Sequence, residues 1–365
     1  MQLNKERYNR QLLLTGFGEQ AQLKLLQSRV LVVGAGGLGI PVLQYLSGMG
    51  VGQIGIIDHD TVAESNLHRQ VLYTTTDIGS PKAIVAAERL NALNPELEYI
   101  VFNELLTTGN ALSVIGMFDV VVDCTDNFPT RYLINDACVI LNKPFVYGAI
   151  HQYEGQVSVF NHNGSATYRS LFPHAPEPGV VLDCNANGVL GILPGIIGCY
   201  QANETIKLLT GIGELLTNKM LIIDTLSNQQ RTIHFQSSIN APQITKLNSD
   251  DYTSLCGSAS IRNMSVAELA ARIRNNEALQ LVDVREDDEL AICKIANSIH
   301  IPLGEITAKA NEINRNQPAV MICHHGIRSR VAGEELLKKG FTNIFNLTGG
   351  VHAWALEIDR TMQRY

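Results

Sequence analysis

The chain has 365 residues, 45% of them apolar, and a formal net charge of −7 at pH 7. This length favours two domains over one, and this apolar fraction suffices for a full core in each. The acidic balance argues against a general nucleic-acid or membrane-surface binder, and no apolar run is long and clean enough to span a bilayer.

Residues 4–14 and 18–28 read as two amphipathic helices, with Arg7 and Arg10 close together in KERYNRQ. The start of the chain lacks the apolar core and cleavage site of a signal peptide. Seven cysteines are scattered with no CxxC pair. An odd, irregular set argues for free thiols in a reducing cytoplasm. Residues 29–58, RVLVVGAGGLGIPVLQYLSGMGVGQIGIID, then read as strand, glycine turn, helix and second strand. That is one right-handed βαβ unit. Gly34 suits the sharp turn, Gly36 a close approach to phosphate, and Gly39 close packing of helix on sheet. Free amides at the helix start suit an anion, and Asp58 at the second strand end suits ribose hydroxyls. The unit reads as an adenine-nucleotide site, with an unliganded structural turn as the alternative. It does not tell one adenine nucleotide from another.

The next segment, HDTVAESNLHRQ, carries Asp60, Asn66, Arg69 and Gln70, a cluster a plain dehydrogenase does not need. Ser80-Pro81-Lys82 opens a helix to about Asn94, with Ser80 as its cap and Pro81 in its first turn. Lys82 at a helix N-terminus is unfavourable unless an anion accompanies it. Residues 97–103 read as a strand, and 118–124, FDVVVDC, as a buried parallel one. The latter ends in DCTDN. Ligands bind beyond the carboxyl ends of such strands, so Asp126 is placed to meet a metal-bound phosphate. The alternative is that Asp126 caps the helix over 128–142. A strand at 144–150 follows.

From residue 151 the pattern changes. EGQVSVFN alternates like an antiparallel strand, and 161–186 reads as a long loop. A helical pattern covers 188–210, a hairpin turns at Ser227-Asn228, and 237–262 reads as a polar linker. A helix from Ser265, a strand over 279–286, a strand ending at Cys323, a helix near Ile327 and a strand near Asn343 then alternate. The fold class is α/β: a Rossmann-like doubly wound domain with a mixed sheet over 1–240, a linker over 241–262, and a smaller parallel α/β domain over 263–365.

Lys82, Arg69 and Arg10 supply cations, Asn66 and Gln70 supply donors, and Asp126 supplies a carboxylate for Mg²⁺. Cations and metal around a phosphate chain act by positioning and charge stabilisation, which favours ATP over NAD. RYNRQ, GAGGLG, DHDTVAESNLHRQ, GSPKA, DCTDN and GVLGILPGIIGCYQANE, in this order, resemble the MoeB/ThiF branch of the ubiquitin-activating-enzyme superfamily over residues 7 to about 235. The resemblance implies adenylation of the C-terminal Gly-Gly carboxylate of a small ubiquitin-like sulfur carrier. It implies that Gly34, Gly36, Gly37 and Gly39 line the nucleotide and that Asp58 holds its ribose. It places Asn66, Arg69, Gln70 and Lys82 at the nucleotide, Asp126 on Mg²⁺, and Arg10 on the phosphates of a partner subunit, hence a homodimer.

Members of this family often hold a zinc with two CxxC pairs. Here Thr167 and Ser170 stand at the first pair, and Thr253 and Cys256 at the second. One thiol cannot build a tetrahedral sulfur site, so no zinc is expected. Cys184 in LDCNANGV matches a cysteine of the family's crossover loop, which in several members attacks the acyl-adenylate or forms an acyl-disulfide; a buried inert thiol is the alternative.

Cys323-His324-His325-Gly326-Ile327-Arg328-Ser329 resembles the CxxGxRS active loop of rhodaneses. VDVRE with Asp283 and Arg285, His300-Ile301-Pro302, and GGVHAW match flanking segments over about 263–365. Inward amides and Arg328 suit a Cys323 persulfide anion. The expected activity is therefore adenylation of a carrier followed by sulfur transfer from a persulfide donor to give a thiocarboxylate for molybdopterin, thiamine, tRNA thiolation or another sulfur pathway. The rivals are an NAD-dependent oxidoreductase, a non-catalytic scaffold, and ubiquitin-like activation through a Cys184 thioester.

Overall fold

The computed structural model describes residues 3–173, 188–236, 244–248, 252 and 261–365. The chain divides into two compact units, Met1–Leu255 and Cys256–Tyr365.

The first unit opens with α1 (Asn9–Leu12) and α2 (Gly18–Gln27). Then come β1 (Arg29–Val33), α3 (Gly39–Met49), β2 (Gln53–Ile57), α4 (Lys82–Leu93) and β3 (Glu98–Phe102). They are followed by α5 (Ala111–Gly116), β4 (Val120–Asp123), α6 (Phe128–Ile140), β5 (Phe145–His151) and β6 (Glu154–Phe160). The unit continues through α7 (Tyr168–Leu171), α8 (Leu193–Thr210), β7 (Lys219–Asp224) and β8 (Gln229–His234). Its sheet has the order β3-β2-β1-β4-β5-β6-β7-β8. Strands β3 through β5 run parallel, and β6, β7 and β8 add antiparallel neighbours. The strand order reverses between β1 and β4, the switch point where doubly wound sheets hold ligands. All four residues of β4 are buried, as a strand covered on both faces requires. One core packs α3 and α8 on the sheet; another gathers Phe118, Tyr132, Phe145, Phe160 and Tyr168.

The second unit contains β9 (Arg262–Met264), α9 (Val266–Arg274), β10 (Gln280–Asp283), α10 (Asp287–Ile292) and β11 (Ser298–His300). It closes with β12 (Ala319–Ile322), α11 (Ile327–Lys338), β13 (Ile344–Leu347) and α12 (Gly350–Glu357). Its five-stranded sheet, β11-β10-β12-β13-β9, is parallel throughout.

Three expectations are corrected. The helix expected over 4–14 is confined to the four residues of α1, and glycines at positive φ, Gly16 and Gly18, follow it. Ser80 does not cap α4. Its carbonyl accepts from Val62 N at 2.9 Å, and Pro81 sits extended at the cap position without a side-chain bond. The stretch 237–262 is not a bare linker. Tyr252 is buried in the aromatic core of the first unit, where its hydroxyl donates to Asp136 Oδ2 at 2.7 Å, and Leu247 packs on the same core. Arg262 already pairs in the second sheet. One aromatic anchor inside a polar segment gives no periodic signal, so it was invisible to pattern reading.

Candidate functional site

At the end of β1 the chain turns at Gly34, whose φ is +98° and whose N–H donates to Ile57 O at 2.9 Å. A Cβ there would lie 2.8 Å from Cys124 O, and a Cβ on Gly39 would lie 1.9 Å from Gly34 O. Only glycine allows this approach of the β1 turn, the β4 end and the start of α3. Asp58 ends β2. Its Oδ2 accepts from Ala35 N at 2.7 Å and its Oδ1 from Asp60 N at 2.8 Å. Burial pushes the Asp58 carboxyl upward, while those two amides oppose the shift.

These elements enclose a cavity of about 580 Å³ at the switch point. Gly34, Gly36, Gly37, Asp58, Asn66, Arg69, Gln70, Lys82 and Asp126 all line it, so the structure brings together nine of the expected nucleotide-site residues. Gly39 acts behind the wall, as the packing glycine. Arg10 lies on exposed α1, outside that cavity, and forms no ion pair among the described residues. Asp126 is exposed at the cavity, and the alternative role falls away, because Asn127 caps α6 by accepting from Thr130 N at 3.0 Å. Gln70 is 4% exposed, and its Oε1 is buried with no hydrogen-bond partner among the described residues. A native structure seldom leaves such an oxygen orphaned, so it fits a wall that receives a donor from a ligand.

Lys82 stands at the first position of α4, only 7% exposed, and its Nζ pairs with Asp60 Oδ2 at 3.0 Å. The protein itself thus supplies an anion at this helix start. Asp58, His59 and Asp60 place ligand atoms within 4.8 Å of one another on the same cavity wall. Arg69 donates to Ser65 O at 3.0 Å, which fixes its stem beside the glycine turn.

The loop carrying Asp126 is held from beneath. Asp123 is fully buried and accepts from Arg131 Nε at 3.1 Å, Thr125 N at 3.0 Å and Thr125 Oγ1 at 2.6 Å. Arg131 also donates to Thr125 O at 2.9 Å and lies 4.9 Å from the Tyr147 ring centroid. Burial works against its charge, but Tyr147 and Asp123 outweigh it and hold the guanidinium protonated.

In the second unit Cys323 follows β12 and is 1% exposed. Its Sγ accepts from Gly326 N at 3.1 Å, and Ser329 Oγ lies 3.2 Å from it. Ser329 Oγ also lies 2.7 Å from Asn346 Oδ1, so its single proton is shared between the sulfur and that amide oxygen, and Asn346 Nδ2 donates to Asn263 Oδ1 at 3.2 Å. Arg328 acts on the sulfur through its charge, without a hydrogen bond to it: both its terminal nitrogens bind Glu289, each at 2.6 Å. The direct donors are thus the loop amide and Ser329. Asp283 and Arg285 form a fully buried pair at 2.7 Å, and Arg285 also donates to Cys293 O at 2.8 Å.

Cys184, and Thr253 and Cys256 of the second zinc position, lie outside the described residues. Thr167 and Ser170 of the first form the capping box of α7. Sequence reading missed the roles of Asp60, Arg131, Asn346 and Glu289. Asp60 had a signal, two residues past a strand-end acid; the others meet their partners only through tertiary packing.

Residues 8–242 match the ThiF family, and residues 265–357 match the rhodanese-like domain. The chain is 38% identical to the adenylyltransferase and sulfurtransferase MOCS3 of Arabidopsis thaliana, over 98% of this chain and 85% of that one. It is also 38% identical to the probable adenylyltransferase/sulfurtransferase MoeZ of Mycobacterium tuberculosis, over 98% and 95%. In structure it resembles E. coli MccB solved with MccA-N7isoASN, with a TM-score of 0.58, 20% identity, and 67% and 75% of the two chains covered. At that identity the likeness shows the fold alone.

Hydrogen bonds from Arg328 hold the Glu289 carboxyl at about 2, against its burial and with help from Glu286 N and Tyr365. A carboxyl depressed in the folded state stabilises fully above its unfolded pKa, near 4.5, and loses that contribution as pH falls toward 2. Between those values the second unit should lose stability more steeply than a Glu289→Gln variant. Thermal melts followed by Trp354, the chain's single tryptophan, check this; equal slopes would show the pair contributes nothing.

Proposed function

The chain belongs to the ThiF family, is an adenylyltransferase and carries a rhodanese-like sulfurtransferase domain; from that premise we propose that it uses ATP to activate the C-terminal Gly-Gly carboxylate of a small ubiquitin-like sulfur carrier and converts it to a thiocarboxylate. The observation that carries this reading is one cavity that joins a glycine turn, Lys82, Arg69 and Asp126 at a strand switch point, on the same polypeptide as the Cys323 loop.

In the first step a carrier carboxylate oxygen attacks the α-phosphorus of ATP. The bond to pyrophosphate breaks and acyl-AMP forms. Arg69 and Lys82 face the phosphates and offset their charge, Gly36 and Gly37 admit them to the backbone, and Asp58 receives the ribose hydroxyls. Asp126 would hold Mg²⁺, which would supply charge neutralisation on the phosphate chain. Gln70 contributes its orphaned oxygen to a ligand donor. Arg10, exposed and unpaired on α1, reaches the site of a second copy in a homodimer.

In the second step the terminal sulfur of a Cys323 persulfide attacks the acyl carbon and AMP leaves. Cys323 and the carrier are then joined through an acyl disulfide. A second thiol supplies the two electrons that release the thiocarboxylate, and Cys184 is the candidate within this chain. Gly326 N and Ser329 Oγ stabilise the sulfur anion. Free Cys323 needs a reducing compartment, so the cytoplasm is the proposed location; the described cysteines are all free. Among the described residues no helix is long and apolar enough to cross a membrane. A structural zinc of the four-thiolate kind is not part of this reading. Neither hydride transfer nor a ubiquitin-like thioester is favoured.

Asp126→Ala should abolish carrier-dependent ATP–pyrophosphate exchange while the fold persists, since lost charge stabilisation costs several kcal/mol of barrier. Exchange near the normal rate would remove Asp126 from the chemistry. Cys323→Ala should leave exchange intact and stop sulfur delivery. Carrier mass then stays about 16 Da short of the thiocarboxylate, the difference between oxygen and sulfur in the acyl group. Thiocarboxylate at the wild-type rate from the same donor would exclude the rhodanese-like domain as sulfur source.

A further inference from the structure

The Cys323 loop carries two histidines that the transfer chemistry does not use. His324 and His325 stack with ring centroids 4.1 Å apart, and His352 of α12 lies 4.9 Å from His325 and 5.7 Å from His324. Nitrogens of the three rings lie within 4.8 Å of one another. Backbone bonds fix this meeting: His352 N donates to His324 O at 3.0 Å, and Val351 N donates to Cys323 O at 2.9 Å. A Cβ on Gly350 would fall 2.2 Å from Cys323 O, so the loop and the helix start are locked in close contact. His352 Nδ1 is buried and has no hydrogen-bond partner among the described residues, an unsatisfied group of the kind that native structures rarely keep without a use.

We propose that His324, His325 and His352 form a binding site for a divalent transition-metal ion of the zinc class at the rim of the Cys323 loop. Three imidazoles match Zn²⁺, Co²⁺, Ni²⁺ or Cu²⁺, and poorly match Mg²⁺ or Ca²⁺. Tetrahedral bonds of about 2.1 Å place ligand nitrogens about 3.4 Å apart, so the rings close by at most about 1.4 Å on binding. His325 is exposed and free to turn toward its neighbours. Cys323 is not a ligand, because its sulfur faces Gly326 N and Ser329 Oγ. No cysteine or carboxylate joins this cluster among the described residues, which leaves the fourth position to solvent. The site is distinct from the four-thiolate position at 167, 170, 253 and 256.

The test uses the untagged, full-length protein, stripped with chelator and titrated with CoCl₂ while visible absorption is recorded. Nitrogen-ligated Co²⁺ should appear at one ion per chain with ligand-field bands and no thiolate charge-transfer band. His325→Gln and His352→Gln should each weaken binding at least about tenfold, as loss of an inner ligand exceeds the effect of losing an outer one. Cys323→Ala should leave it unchanged. His325 is exposed, so its variant keeps the fold and remains decisive if His352→Gln does not. The absence of saturable binding overturns the proposal. So does binding that His325→Gln retains in full, or a charge-transfer band that disappears in Cys323→Ala.

Discussion

The Asp123–Arg131 pair is the constraint on which the first site depends. Asp123 is fully buried at the end of β4, and Arg131 reaches it from α6. Two charges taken out of water cost several kcal/mol each, and they persist only where the remaining hydrogen-bonding capacity is met. Here it is met: Thr125 supplies two donors to the carboxylate, and Thr125 O and Gly148 O accept from the guanidinium. The backbone just before Asp126 is therefore bound into a buried network. Gln201 of α8 donates to Asp123 O at 2.6 Å and fills the space above Gly148, where a Cβ would lie 2.3 Å from its amide carbon. One ion pair thus ties β4, β5, α6 and α8 at the wall of the cavity. Removing either partner would strand the other charge, at a cost of about 3–5 kcal/mol.

The second unit repeats the device with different residues. Asp283 ends β10 and Arg285 lies two residues on, both buried, and Arg285 spans to Cys293 O and the Tyr365 hydroxyl. The His300 ring meets Arg285 O at 2.8 Å. This frame supports the Glu289–Arg328 pair, which occupies the arginine of the active loop. The consequence for sulfur chemistry is concrete. The anion at Cys323 is met by a fixed loop amide and by a hydroxyl whose proton Asn346 Oδ1 also accepts, and Arg328 acts on it across a distance rather than by contact.

Much of this was legible in the sequence because it is local. A glycine turn between an apolar strand and a helix, an acid at the next strand end, and a DCTDN strand terminus each announce their place by spacing. The active loop at Cys323 does the same, being one continuous heptapeptide. What stayed hidden is what sequence spacing does not encode. Arg131 reads as an ordinary helical residue until the fold closes it over Asp123. Glu289 lies in a charged run that reads as solvated surface, and its partner is 39 residues away. Tyr252 lies in a polar stretch, and its partner Asp136 is 116 residues away. The sequence left open whether Asp126 caps α6; Asn127, one residue on, takes the cap, and that single position decides whether Asp126 is free for a metal.

The central claim is that one polypeptide both activates the carrier and delivers sulfur to it. It is tested most directly by loading Cys323 with ³⁵S persulfide, removing the donor, and adding carrier and a reducing thiol with or without ATP. The account predicts that label moves to the carrier's C-terminus as a thiocarboxylate only when ATP is present, with AMP released in proportion. Label that remains on Cys323 with ATP and carrier present, or that reaches the carrier equally well without ATP, would contradict it.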